Sequence, residues 1–342
     1  MNVVIGAGIF GLCIALKLKK EGLDVVVLEK NKDIMQEASK CNHNRIHFGF
    51  HYPRSIETAL QSLKGYKLFY SMFKNSIVSK FKNYYLIENN SNICSSDYET
   101  FCKKINVYYK KNSYPKVDMN FDNIENSFLT NEPIFDYIAI KTFLLKQIKS
   151  NNIEIIYDTY VNNIKQLQKY KNIINCSYAN INKINNIFKL PLIKLKIQDV
   201  VIPIFELQQD KIGLTIMDGE FCSILPKGNE INTYLLYSVK HSVIRNIEDY
   251  YIPNEWIDGN IDIEKKIDTI YKESSKYYSF LKNCKRISYL RTFRVVPINT
   301  NDERLSSIYI NKIKDKTIYT VLSGKITTSC LISEYIFDKI KI

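Results

Sequence analysis

The chain opens on four residues patterned for a buried strand, Asn2-Val3-Val4-Ile5, followed at once by Gly6-Ala7-Gly8-Ile9-Phe10-Gly11 and an amphipathic run from Leu12 to Lys20. Gly22 closes that helix, and Val25-Val26-Val27-Leu28-Glu29 reads as a second strand ending in an acid, with Lys30 beside it. Strand, glycine turn, helix, strand and acid together make a dinucleotide-binding unit. Gly6 permits the tight turn, Gly8 lets the Ile9-Phe10 backbone approach a pyrophosphate, and Gly11 lets the helix lie close on the strand. The free N–H groups at the helix start face the phosphates. Glu29 follows Gly11 by about eighteen positions, near the ~20 expected of an acid that holds a ribose hydroxyl, and an acid there disfavours a 2′-phosphate, which argues against NADP. This unit does not distinguish FAD from NAD.

Further along, Ile138 to Ile148 has helical periodicity, Ile153-Glu154-Ile155-Ile156 reads as a strand and Thr159-Tyr160-Val161 as another short one. Ile173 to Ser177 is an apolar strand ending at small residues. Residues 187–240 alternate in the manner of strands, clearly so in Asp199–Leu207 and Thr233–Val239, separated by turns containing Gly, Pro and Asn. An antiparallel sheet in a second domain fits this. Trp256 and the aromatics at 277, 278 and 280 read as core packing. Tyr289–Pro297 is a strand whose Arg291 and Arg294, three apart, lie on opposite faces. Tyr319–Leu322 is a strand, 323–328 a turn, and Cys330–Ile340 an amphipathic helix.

Composition adds limits. With 342 residues, 45% hydrophobic and 24% charged, the chain is globular in type and long enough for two domains, which excludes disorder, collagen and coiled coil. Its 48 Lys and Arg against 35 Asp and Glu give a net charge of +13, yet the lysines are dispersed, so the charge reads as surface usage and not as a nucleic-acid patch. The eight cysteines form no C-x-x-C pair and read as reduced, mostly buried thiols. The apolar stretch Val3–Leu16 lacks a preceding basic residue and is interrupted by glycines, unlike a signal peptide, and no run approaches the ~20 apolar residues of a membrane span. A cytoplasmic protein is expected.

Three of the four histidines fall in Cys41-Asn42-His43-Asn44-Arg45-Ile46-His47-Phe48-Gly49-Phe50-His51-Tyr52-Pro53-Arg54. His43, His47 and His51 would share a helix face suited to metal, but Asn42, Asn44, Gly49 and Pro53 favour a loop leading into a short strand, and no metal is expected. With Ser39, Asn42, Ile46-His47, Gly49 and Tyr52 in place, the segment resembles the second flavin-contacting loop of the D-amino-acid oxidase-like (DAO) superfamily of FAD-dependent oxidoreductases. It is most similar to the L-2-hydroxyglutarate dehydrogenase and FAD-dependent glycerol-3-phosphate dehydrogenase branches. The resemblance implies that Ser39, Asn42, Asn44 and Arg45 contact FAD and that His47, His51, Tyr52 and Arg54 lie nearest the substrate.

The same resemblance extends along the chain. It implies that Val161 holds the adenine through its backbone and that Ser177 stands where the family has an Ala-Thr-Gly run. Leu214–Gly219 with Ile224–Pro226 looks like the substrate-domain hairpin. Gly324-Lys325-Ile326-Thr327-Thr328 resembles the C-terminal flavin loop of the glycerol-3-phosphate dehydrogenases; it is not a P-loop, since the first glycine is missing. A helix N-terminus there would stabilise negative charge on a reduced flavin. In the resembling families an arginine near Arg291 and Arg294 binds the substrate's carboxylate or phosphate, a task suited to its planar fork; Arg294 is the first choice.

The expected architecture is thus α/β, with a Rossmann-like, glutathione-reductase-like FAD-binding domain (residues 1–75, 133–185 and 286–342) and an inserted antiparallel-sheet substrate domain (76–132 and 186–285). The expected activity is hydride transfer from a small anionic hydroxy acid or sugar or polyol derivative to flavin N5, with His47 or His51 as base, and oxygen, a quinone or another acceptor reoxidising the flavin. Arg54, Arg291, Arg294 and Lys325 are expected to face the site. A flavin-dependent amine or amino-acid oxidase, an NAD-linked dehydrogenase, and a non-catalytic flavin-binding or basic RNA-associated protein are the alternatives.

Overall fold

A computed structural model describes residues 1–259, 261–298 and 304–341. In chain order the elements are β1 (Asn2–Ile5), α1 (Ile9–Lys20), β2 (Val25–Leu28), α2 (Ile56–Phe73), β3 (Ile77–Val78), β4 (Lys82–Glu88), α3 (Ser95–Lys104), β5 (Tyr109–Lys111), β6 (Ile124–Thr130), β7 (Ile134–Phe135), α4 (Tyr137–Ser150), β8 (Glu154–Ile156) and β9 (Asn172–Asn175). They continue with α5 (Ile181–Ile187), β10 (Leu195–Glu206), β11 (Ile212–Met217), β12 (Cys222–Pro226), β13 (Thr233–Ser238), β14 (Val243–Asp249), α6 (Asn254–Asp258), α7 (Ile263–Ser274), β15 (Lys285–Pro297), β16 (Ser307–Ile313), β17 (Lys316–Leu322) and α8 (Ser329–Lys341).

The first sheet runs β16-β17-β9-β1-β2-β8 and is parallel except for its edge strand β16. All four residues of β1 and of β2 are buried, as expected of strands covered on both faces. One face meets α1, α4 and α8, where Leu12, Leu16, Ile140, Leu144, Ile332 and Ile336 interlock; the other is closed by Leu167, Tyr170, Ile184 and Phe188. Chain caps fix where the helices begin: the Ser55 and Asp136 side chains accept hydrogen bonds from the Thr58 and Ala139 N–H groups.

The second sheet runs β14-β10-β13-β12-β11-β4-β6-β5, with β15 pairing β10. Its outer face packs on α7 through Ile267, Ile270 and Tyr271, with Tyr278 buried among them. The α/β class is as expected from the sequence, but three details differ. The second sheet is mixed, because β11 pairs β4 in parallel, Ile212 opposite Lys82 through Met217 opposite Ile87. The strand holding Arg291 and Arg294 belongs to this sheet, paired along β10 from Leu195–Pro297 to Glu206–Lys285, so the boundary placed at 286 is not where the sheets divide. Thr159–Val161 is not a strand: Asp158 turns at φ 51, and the Thr159 N–H then donates to the Glu29 carbonyl beyond the end of β2, at 2.8 Å.

Candidate active site

A cavity of about 350 Å³ runs from the end of β1 across the start of α1 to the inner face of the second sheet. Its first stretch is the glycine turn. Gly6 sits at φ +103, a conformation open to glycine, with the Cys176 carbonyl oxygen 2.8 Å from where a Cβ would be. Gly11 faces away from the cavity; it allows α1 to rest on the Gly6 carbonyl. No side chain caps α1 at Gly8, so its first N–H groups remain available, apart from that of Ile9, which donates to Ser39 Oγ at 3.1 Å. Glu29 is buried and accepts from the Ala7 N–H at 2.6 Å and the Asn31 N–H at 2.8 Å. The expected ribose acid therefore also braces the turn. Gly8, Phe10, Lys30, Val161 and Ser177 line the same stretch.

The segment after β2 crosses the middle of the cavity. The expected short strand reduces to a single bridge, Arg45 to Ile134, because Asn44 (φ 55) and Gly49 (φ 98) both take left-handed backbone that no ladder continues. Asn44 does not line the cavity; its N–H donates to Asn42 Oδ1 and its carbonyl accepts from the Phe135 N–H. Ser39, Asn42 and Arg45 do line it. Arg45 is 5% exposed and held on three sides: Nη1 donates to Glu132 at 2.6 Å and to the Tyr85 hydroxyl at 2.5 Å, and Nη2 to Thr215 Oγ1 at 2.7 Å. Glu132 closes the network by accepting from the Tyr85 hydroxyl and, at 2.9 Å, from the Phe48 N–H.

The loop is not helical, so the three histidines share no helix face. His47 and His51 lie side by side with ring centres 5.6 Å apart, while His43 reaches the second sheet, Nε2 2.9 Å from the Leu235 carbonyl. All three line the cavity. Tyr52 is buried behind them, its hydroxyl 3.4 Å from His47 Nδ1, and Lys325 stands over its ring at 4.7 Å. Arg54 is outside the lining and is paired with Asp218. Gly324, Lys325 and Ile326 line the cavity ahead of α8, whereas Thr327 is buried beneath them, its Oγ1 without a hydrogen-bond partner among the described residues.

The two arginines of β15 separate as their spacing requires. Arg291 turns away from the cavity and forks onto Asp199, Nε to Oδ1 at 3.0 Å and Nη2 to Oδ2 at 2.8 Å; Arg245 binds the same buried carboxylate. Arg294 lines the cavity; its Nε donates to Gln198 Oε1 at 2.9 Å, and its guanidinium lies 5.6 Å from the Tyr237 ring centre. Of the four basic residues expected at the site, Arg294 and Lys325 are at the cavity and Arg54 and Arg291 are bound to carboxylates elsewhere.

Comparison with known proteins decides what this cleft belongs to. The family model "FAD dependent oxidoreductase" (DAO) matches residues 2–231. The chain belongs to the DAO family of FAD-dependent oxidoreductases. It is an enzyme of that family, and FAD is its cofactor. The fold is shared with glycine oxidase from Geobacillus kaustophilus (TM-score 0.75, 11% identity, 98% of this chain and 93% of that one) and L-proline dehydrogenase from P. horikoshii (0.71, 15%, 99% and 93%). It is shared likewise with L-alpha-glycerophosphate oxidase from Mycoplasma pneumoniae, solved with FAD bound (0.72, 14%, 97% and 92%). A curated relative, the FAD-dependent monooxygenase FPY4 of Fusarium mangiferae, is 41% identical over 66 residues, which is 19% of this chain and spans only 18% of that protein.

The cavity of this DAO-family chain fits FAD on its own geometry: an uncapped helix start for the pyrophosphate, a buried carboxylate at the nucleotide end, and a cleft continuing to the 324–326 turn. No helix of the described residues is long and apolar enough to cross a membrane. Sequence reasoning missed Glu132, Thr215, Ser223, Tyr237 and, at the nucleotide end, Lys183 as site residues; strand pairing brings Thr215, Ser223 and Tyr237 to the cleft, α5 carries Lys183, and Glu132 lies behind the lining, between β6 and β7, bound to Arg45.

Burial and surrounding cations keep the histidines neutral. His43 is pushed down to about 3 by desolvation and by Arg45, and His47 and His51 are likewise lowered by burial and by Lys325 and Arg45. An unfolded histidine protonates near 6.5, so below that pH the unfolded chain binds more protons and stability falls as pH falls; it is fully present above. For His43 the window is from 6.5 down to about 3. Replacing His43 with glutamine is expected to flatten the fall of unfolding free energy between pH 6 and 4.5 by ~1.4 kcal/mol per pH unit, measured by urea titration. An unchanged slope would contradict this.

Proposed function

We propose that this enzyme oxidises a carbon bearing a hydroxyl group in a small anionic substrate, a hydroxy acid or a sugar or polyol derivative, as its likeness to the L-2-hydroxyglutarate and glycerol-3-phosphate dehydrogenase branches suggests. The observation that carries the reading is Arg294: it stands on the cavity wall, its Nε donating to Gln198 as its one hydrogen bond among the described residues, and an arginine fork offers two parallel hydrogen bonds to a carboxylate or phosphate. Bound FAD supplies the two-electron acceptor for the substrate hydride. The chain's own residues orient the anion and handle the proton. Arg294 fixes the anionic end. His47 and His51, neutral through burial, offer lone pairs to the substrate hydroxyl, and His51 Nδ1 is a buried atom with no partner among the described residues. Imidazolium is costly beside Lys325 and Arg45, so a proton accepted there is passed on and not stored.

The test is the visible spectrum of the protein as purified, followed by anaerobic bleaching with hydroxy acids, sugar derivatives and amines. Bleaching by hydroxy acids or polyol derivatives is expected. If only amines bleach the flavin, the protein is an amine or amino-acid oxidase and this reading is wrong. Arg294→Lys keeps the charge but loses the fork; KM for the best anionic substrate is expected to rise roughly 10- to 100-fold with a smaller change in kcat. A KM unchanged by this substitution would remove Arg294 from the anion site.

A further inference from the structure

Thr215, Ser223 and Tyr237 form one row across the inner face of the second sheet. Register places Thr215 opposite Ser223 and Ser223 opposite Tyr237, and all three line the cavity. Neighbouring members of such a row are spaced at about 4.8 Å, the distance between strands. Two of the hydroxyls have their roles fixed from behind. Thr215 Oγ1 accepts from Arg45, which leaves its own hydrogen to donate. His43 Nε2 lies 2.9 Å from the Leu235 carbonyl, which can only accept, so Nε2 carries the hydrogen and Nδ1 is a lone pair. Ser223 Oγ lies 3.4 Å from that Nδ1 and donates to it, which leaves the serine oxygen as an acceptor toward the cavity. The neutrality of His43 keeps this polarity in place.

The row is amphiprotic and uncharged, which is what substrate hydroxyl groups require. An ammonium group is favoured by a carboxylate and disfavoured by neighbouring cations. Among the described lining residues the carboxylates are Glu29 and Glu37, both on the nucleotide stretch; the substrate stretch holds the cations Arg294 and Lys325, three neutral histidines, and Arg45, whose charge is paired. Glu132, nearby, is neutralised by Arg45.

We propose that Ser223, oriented by His43, accepts a hydrogen bond from a substrate hydroxyl and, with Thr215 and Tyr237, selects hydroxylated anions over deoxy and amino analogues. This rests on the reading of Arg294 as the anion site. The step is recognition only; no bond is made or broken by the row. A site built to pair a hydroxyl leaves its own groups unpaired when the hydroxyl is missing, so discrimination should be large.

The experiment is anaerobic calorimetric titration of the FAD-loaded protein with glycerate, lactate, propionate and serine. The wild type is expected to bind glycerate roughly 10-fold or more tighter than propionate, with lactate between them and serine weaker than glycerate. Ser223→Ala is expected to bring the glycerate-to-propionate ratio to within about 3-fold while leaving propionate unchanged, and Ser223→Thr, which keeps the hydroxyl, to restore it. A ratio untouched in Ser223→Ala, a parallel loss of both ligands, or serine binding more tightly than glycerate would each overturn the proposal. Arg294→Ala separates the two readings: if it binds both acids as the wild type does, the anion site is misplaced, while the ratio in Ser223→Ala still decides the role of the row.

Discussion

Substituting Gly11 with alanine is expected to yield a protein that no longer retains FAD, purifying without the visible absorbance of the wild type and binding added FAD at least ~100-fold more weakly. The cause is local. An alanine Cβ at this position would stand 2.0 Å from the Gly6 carbonyl oxygen and 3.0 Å from Val4 Cγ1. Neither atom belongs to a flexible side-chain end, so α1 would have to lift from β1, and the N–H groups that face the pyrophosphate would move with it. Each ~1.4 kcal/mol lost there weakens binding tenfold. Gly22→Ala is the control: its φ is +79 but nothing lies within 4 Å of a new Cβ, so it costs only about 1–2 kcal/mol of backbone strain and keeps the flavin. A yellow Gly11→Ala protein with wild-type FAD affinity would show that the helix start does not hold the phosphates.

The two ends of the site were legible because their chemistry is written in contiguous residues. Gly6, Gly8 and Gly11 must follow one strand and open one helix, which spacing reveals; Gly324–Ile326, ahead of another helix, was marked by its resemblance to a family loop. The middle was legible only by likeness, and there the residues diverge. Arg45 lines the cavity yet is committed to Glu132, a residue eighty-seven positions away that no local pattern marks. Arg291 and Arg294 lie three apart in one strand, so spacing sends them to opposite faces and the resemblance favoured Arg294, but only pairing with β10 shows which face meets the cavity and that Asp199 holds Arg291. The same holds for the parallel contact of β11 with β4, and for Ser223, an unremarkable serine until three strands align it with Thr215 and Tyr237. Periodicity reports which positions are buried. It does not report which strand lies beside which, and that is what assembles the substrate wall.

Removing Glu132 should destabilise the fold more than any other single polar substitution at the cleft. The carboxylate is 1% exposed and pairs with an arginine that is 5% exposed. In Glu132→Leu the Arg45 guanidinium is left charged in a buried site, the Tyr85 hydroxyl loses its acceptor and the Phe48 N–H loses its own. Breaking one partner of such a pair costs about 3–5 kcal/mol, read as a fall in the urea midpoint. The loss arises from the stranded charge and not from the bond itself, so Arg45→Met combined with Glu132→Leu should recover much of it. Recovery of stability need not restore the site, because Thr215 would lose the donor that orients it and the loop from Arg45 to His51 would lose the Phe48 anchor. Stability regained with substrate binding still impaired is therefore the expected pattern. A single variant as stable as the wild type would show that the pair is not buried as described, whereas a double variant no better than the single would mean that Glu132 acts chiefly through Tyr85 and Phe48.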